Sequence, residues 1–315
     1  MNYKLTFAAF LLVGSALAQA ASPEQCNLAV VSSQLPKSEQ ICDSKTVVDL
    51  AKQGHVYEQN QMGLASIMVI GPEADIATAV QWFQKSAQNG YAPAQVNLAV
   101  LYINGWGVPQ NFGVAQRWLR EAAAQHFAPA YYNLGELYLK GTGVHQDYAE
   151  ARRWFQLGAD AGDSYAQTNL GYLYDRGLGV PVNLSTAASW YRKASDAGNP
   201  MAQSNLADLY EKGEGVPRDP AQAFHLFQQA AEKGHTGAQI QLAYRLAYGS
   251  GTAKNPESAL AWVTAAVASG DNRGQALLQT LRTQLQPDQQ KRASDAAVGL
   301  RASSQIAAKS TLLQH

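Results

Sequence analysis

The sequence predicts an all-α solenoid, on three observations. The stretches "NLAVLYINGWGVPQ" from Asn97, "NLGELYLKGTGVHQ" from Asn133, "NLGYLYDRGLGVPV" from Asn169 and "NLADLYEKGEGVPR" from Asn205 begin 36 residues apart. A fixed period of that size marks stacked copies of one small unit. Within a copy, Ala94, Leu98, Leu101 and Tyr102 fall at helical intervals and define one face of a helix. A Gly-x-Gly pair then interrupts the pattern, at Gly105/Gly107, Gly141/Gly143, Gly177/Gly179, Gly213/Gly215 and Gly249/Gly251. Glycine tolerates positive φ and is the usual residue just past a helix end, so the pair stops one helix and reverses the chain.

Taken in chain order, residues 1–20 read as an export signal: Lys4, an apolar run from Leu5 to Leu17, and Ala18-Gln19-Ala20 before a cut. The run is short for a membrane span, and a retained anchor is the alternative. The expectation is a periplasmic or secreted protein with no integral membrane segment after cleavage. Residues 21–57 read as a divergent N-terminal capping repeat holding both cysteines, Cys26 and Cys42. Their spacing suits one disulfide in an oxidising compartment, and closing that loop adds about 3 kcal/mol by chain entropy. It is not the Cys-x-x-Cys spacing of a redox pair.

Residues 58–273 hold six 36-residue units. In the last five, helix A carries the columns Ala94, Ala130, Ala166, Ala202, Ala238 and Leu98, Leu134, Leu170, Leu206, Leu242; the first unit is degenerate, with Met62 in the leucine column. Helix B carries Ala79, Ala115, Ala151, Ala187, Ala223, Ala259, with Trp82, Trp118, Trp154, Trp190, Leu226 and Trp262 three residues on. The large ring beside a small alanine suggests that this tryptophan column fills notches in the neighbouring helix. Asn111, Asp147, Asn183, Asp219 and Asn255 stand where they cap helix B. Gly90, Gly162, Gly198, Gly234 and Gly270 close it, with His126 the one substitution. Residues 274–302 provide C-terminal capping helices, one with Leu277, Leu278 and Leu281 on one side and one opening at Pro287. Residues 303–315 show little periodicity and read as a loose tail.

The pattern Ala-x-x-x-Leu-Gly-x-x-Tyr-x-x-Gly-x-Gly-Val, then Ala-x-x-Trp-(Phe/Tyr)-x-x-Ala-Ala-x-x-Gly, resembles the Sel-1-like repeat, a relative of the tetratricopeptide repeat. The copy from Ala130 to Gly162 carries Leu134, Gly135, Tyr138, Gly141, Gly143, Val144, Trp154, Phe155 and Gly162 in place. The resemblance implies a right-handed superhelix of helix-turn-helix units and a protein-binding role. Some cysteine-rich exported members of that family have been linked to penicillin binding; this chain lacks their cysteine pair in every repeat.

Charge and motif exclude much else. Lys plus Arg equal Asp plus Glu at 24 each, with no long block of one sign, so bulk charge attracts neither nucleic acid nor an anionic membrane. No HExxH and no Ser-x-x-Lys occurs, and the six histidines are scattered. No catalytic, metal or cofactor set is expected.

The conspicuous column outside the core is asparagine: Asn97, Asn133, Asn169 and Asn205. An amide both donates and accepts, so such a ladder can hold the backbone of an extended peptide; the alternative is a bond to the next unit. Beside it, side chains vary between copies: Val100, Tyr132, Glu136, Tyr172, Arg176, Asp208 and Tyr244. These are the candidates for specificity on a concave helix-A surface. The expectation is a monomeric, non-enzymatic adaptor of the bacterial cell envelope that binds a protein or extended peptide. Binding of peptidoglycan or β-lactam-like material, with or without weak hydrolysis, is the alternative.

Overall fold

The computed structural model describes residues 44–68 and 75–314. The expected export signal and both Cys26 and Cys42 lie outside them. Among the described residues every regular element is helical. The chain divides into two compact units, the first ending at Gly158 and the second running from Ala159 to Thr311.

In the first unit α1 (Ser44–Gln53) precedes α2 (Val56–Met68), α3 (Ile76–Gln88), α4 (Ala92–Asn104), α5 (Phe112–Ala124), α6 (Ala128–Lys140) and α7 (Tyr148–Asp160), which carries the unit boundary. The second holds α8 (Ser164–Arg176), α9 (Leu184–Asp196), α10 (Pro200–Lys212), α11 (Pro220–Glu232), α12 (Thr236–Tyr248), α13 (Pro256–Ala268), α14 (Gln275–Gln284) and α15 (Pro287–Gln314). Within each unit successive helices pack on one another in order, which is the contact pattern of a solenoid.

Local chemistry sets these helix ends. The side chains of Asn111, Asp147, Asn183, Asp219 and Asn255 accept hydrogen bonds from backbone amides in the first turn of each B helix, for example Val114 N at 3.0 Å. The A helices end at Gly105, Gly141, Gly177, Gly213 and Gly249, all left-handed, with φ of 67° at Gly105. The second glycine of each pair has a further use that the sequence reading missed. A Cβ on Gly143 would lie 2.1 Å from the Phe112 Cβ, and one on Gly251 2.0 Å from the Pro220 carbonyl, so bare backbone here lets successive repeats close up. His126, in the glycine column, holds φ +59°, and its Nδ1 lies 3.2 Å from the Tyr131 hydroxyl.

The core corrects one expectation. The tryptophan column does not fill the notches; Trp118 is buried, but Trp82, Trp154 and Trp190 are only half-buried. Cations lie across them instead, Lys85 over Trp82 at 4.7 Å and Lys193 over Trp190 at 4.0 Å. The following residue turns inward: Phe83, Leu119, Phe155, Tyr191, Phe227 and Val263 are fully buried. Its partner is a small residue on helix A. A Cβ on Gly63 or Gly135 would lie 2.5 Å from the ring of Phe83 or Phe155, and Ala99, Ala207 and Ala243 stand in the same column. One residue is about 100° of helix rotation, enough to move a ring from the core to its edge. Leu98, Leu134, Leu170, Leu206 and Leu242 complete the interior, each contributing about 2 kcal/mol by burial.

A glutamine column binds the two kinds of helix. The Nε2 atoms of Gln59, Gln95, Gln167 and Gln239 donate to the carbonyls of Ala51, Ala87, Ala159 and Ala231, in the last turn of the preceding B helix, at 3.1 to 3.3 Å. Gln203 does the same to Ser195 at 3.5 Å. A helix C-terminus leaves its last carbonyls without intrahelical donors, and each glutamine satisfies one of them inside the protein. Tyr131 replaces the glutamine in the one repeat where His126 replaces the glycine, and those two residues meet.

At the C-terminus, α14 buries Leu277, Leu278 and Leu281, while α15 buries Ala293 and Ala297. Arg292 holds both carboxylate oxygens of Glu257 at 2.8 Å. α15 continues to Gln314, through the segment expected to lack regular structure; its alanine, glutamine and leucine content favours helix without needing an apolar stripe. Among the described residues no helix is long and apolar enough to cross a membrane.

Candidate functional site

The residues expected on an open helix-A face fall into two groups. In the first unit they are largely taken up by the protein itself. Asn97 is buried, with its Nδ2 donating to Asn60 Oδ1 at 3.0 Å, and Val100 is buried beside it. Both lie on α4, which touches α3, α5 and α6, so neither side chain forms an open surface. Asn133 donates to the Pro129 carbonyl at 2.8 Å, one turn back along α6. Tyr132 is half-buried with its ring 6.3 Å from that of Phe155, and Glu136 is ion-paired with Lys140.

The second unit brings several of the others together. Tyr172 and Tyr244 are 37% and 36% exposed, on the same column of α8 and α12, with half-buried Asp208 between them on α10. Arg176 is exposed and lies 5.9 Å above the Tyr172 ring. Asn169 is half-buried and engaged within the protein. Asn205 hydrogen-bonds the Tyr191 hydroxyl, which donates to Asp175 Oδ2 at 3.3 Å. Tyr191 is thus a phenol in a column otherwise of Phe, Leu and Val, and burial first, then Asp175, raise its pKa.

Beneath this face sits a residue that the sequence reading passed over. Leu101, Leu137, Leu173 and Leu209 occupy a core column that ends in Arg245. Arg245 is buried, with its guanidinium 4.0 Å over the Phe227 ring. Nη1 donates to the Gln241 carbonyl at 3.0 Å and to Gln241 Oε1 at 2.9 Å, and Nη2 stands 3.4 Å from Glu211 Oε2. Glu211 Oε1 accepts from Ser250 at 3.0 Å. Burial lowers the arginine's pKa while Glu211 and Asp208 raise it, and a guanidinium remains charged under such opposing influences. Burial pushes the Asp208 carboxyl up, opposed by Arg245 and Lys212 and reinforced by Asp175 and Glu211.

The break in the leucine column was the available signal for Arg245, around which Glu211, Asp208, Gln241 and Phe227 gather. Such an arrangement positions charge and aromatic surface at fixed points on a rigid helical wall. A separate cleft of about 570 Å³ opens between α9 and α11, lined by Asp196, His225, Gln229 and Lys233 among others. Lys233 there donates to the Gly198 carbonyl at 2.6 Å, and His225 lies 3.1 Å from Gln229. His235, directly after the closing glycine Gly234, caps α12 by accepting from Ala238 N at 3.0 Å. Among the described residues no three potential ligands gather closely enough to hold a metal ion.

Paired helices stacked at a constant period define the class: a helical-repeat scaffold. The Sel1 repeat model matches residues 61–91, 92–127, 128–163, 164–199, 200–235 and 236–271, so the chain belongs to the Sel1 repeat family. Proteins built from this repeat generally mediate protein–protein interaction. A solved Sel1 repeat protein from Oxalobacter formigenes is 31% identical, covering 70% of this chain and 95% of its own, with a TM-score of 0.62. A protective antigen of uropathogenic Escherichia coli strains, c5321, displays the same repeat fold at 27% identity, covering 85% of this chain and 65% of its own, with a TM-score of 0.48. No curated protein matches the chain.

Proposed function

We propose that this protein is a non-enzymatic adaptor that holds a segment of a partner protein on the helix-A face of its second unit, and that it works in the bacterial cell envelope after export. The observation that carries the reading is the column Tyr172, Asp208, Tyr244, where two aromatic side chains flank a charged one and reach solvent from an otherwise repeated framework. Large, rigid aromatic groups beside a charge are the usual anchors of a protein interface. The export signal expected at residues 1–20 motivates the envelope assignment.

A crosslinking pull-down with the protein from envelope extract tests this. Wild type is expected to retain one specific protein, and the Tyr172→Ala/Tyr244→Ala variant, still helical by circular dichroism, to lose it. Equal capture by both forms would remove this face from the account.

A further inference from the structure

The ion pairs on the helix-A face of the second unit leave Asp208 out. Each neighbouring cation already has its own acid: Arg176 lies 3.8 Å from Asp175, Lys212 3.7 Å from Glu214, and Arg245 3.4 Å from Glu211. Asp208 makes no ion pair or hydrogen bond among the described residues. It sits half-buried in the middle of the exposed column, one repeat from its neighbour on either side. On the α12 side, Tyr244 and Tyr248 stack with their rings 6.2 Å apart and 19° from parallel, and both are exposed. Among the described residues no cation lies across that two-ring platform, whereas Tyr172 has Arg176 across it.

An unpaired, partly desolvated carboxylate next to free aromatic faces complements a planar cation. The carboxylate supplies the opposite charge, and the rings supply a surface on which a guanidinium stacks. The protein uses the same chemistry internally, with Arg176 over Tyr172 and Arg245 over Phe227.

We infer that the docked segment carries an arginine whose guanidinium is received by Asp208 and by the Tyr244–Tyr248 pair. This rests on the docking reading of the same face and adds the chemistry of the occupant. Lysine is a weaker substitute, because an ammonium is more strongly hydrated and has no plane to stack. Burial raises the affinity of Asp208 for a proton, Arg245 and Lys212 offset this in part, and Asp175 and Glu211 add to the negative field, so an arriving guanidinium meets a carboxylate whose charge is only partly compensated.

The test uses the full chain on an array of random short peptides with arginine, lysine, citrulline or glutamate fixed at the centre. Citrulline keeps the shape of arginine and removes its charge. Wild type is expected to prefer arginine over citrulline by about tenfold, with lysine between them. Asp208→Asn, which keeps the size of the side chain, is expected to bring arginine and citrulline within about twofold of each other. Equal binding of arginine and citrulline by wild type, or an unchanged preference in Asp208→Asn, would overturn the inference. Binding of citrulline or glutamate peptides that Tyr172→Ala/Tyr244→Ala abolishes would leave the docking face standing and remove only its cation preference. Absence of binding to every peptide would remove both.

Discussion

Replacing Gly135 by alanine probes the packing rule of the repeat. A helix interior ordinarily gains about 1 kcal/mol from glycine to alanine. Here the added Cβ would stand 2.5 Å from Phe155 Cε1, whereas carbon atoms pack at about 3.5–4.0 Å. The ring must therefore retreat by about an ångström in a fully buried site, an overpacking that costs about 2–3 kcal/mol. The balance is a net loss of about 1–2 kcal/mol, or about 0.5–1 M of urea midpoint at an m-value near 2 kcal/mol per molar. Gly113, also helical, is the control: its added Cβ meets only the Asn111 side chain at 3.5 Å, so Gly113→Ala is expected to gain about 0.5 kcal/mol. Urea titrations followed by circular dichroism compare the two, with Gly135→Ala/Phe155→Leu expected to recover at least half the loss. Equal stabilisation by both alanines would refute the ring-over-notch account.

Other consequences are as definite. Gln167→Leu removes the donor to the Ala159 carbonyl and is expected to cost about 1–3 kcal/mol in urea titration; a neutral result would show that the glutamine column is not what satisfies those carbonyls. Arg245→Ala is expected to lose about 3–5 kcal/mol, while Arg245→Leu/Glu211→Gln, which restores the leucine of the column and discharges its partner, is expected to match wild type or exceed it. If the double variant is as unstable as Arg245→Ala, the ion pair contributes more than its alternatives. Burial raises Asp163, the cap of α8, to about 6, so the folded protein holds that proton more tightly than the unfolded chain. The resulting stability is complete below about pH 4 and is lost as pH rises through about 6. Asp163→Asn keeps the acceptor for Ala166 N and is expected to flatten this dependence, gaining about 1–3 kcal/mol at pH 7.5. A wild-type midpoint that rises between pH 4 and 7 while Asp163→Asn stays level would contradict it.

How much of this was legible in the sequence depended on what fixes each feature. The 36-residue spacing showed the paired helices, and the left-handed ends at Gly105 and Gly141 and the caps at Asn111 and Asn183 follow from local backbone chemistry that a residue type announces. Which of two adjacent apolar columns points inward is a matter of helix rotation, and Trp154 with Phe155 gave no local sign of the answer. Gln59, Gln95, Gln167, Gln203 and Gln239 were as regular as the asparagines, yet a buried glutamine is understood only through the carbonyl it faces on another helix. The asparagine column divided for the same reason: Asn97 met Asn60 across a helix pair, while Asn205 met Tyr191. Arg245 was visible as a break in a leucine column; its significance needed the placement of Glu211 and Asp208 around it.

The most direct measurement places a photoreactive phenylalanine analogue, one position at a time, at Tyr172, Asp208 and Tyr244 on the helix-A face and at Gln222 on α11, which lines the separate cleft between B helices. Irradiation in envelope extract is predicted to join the same single protein to the first three positions and not to the fourth. Labelling from Gln222 alone, or equal labelling from all four, would contradict the claim that this face is where the partner is held.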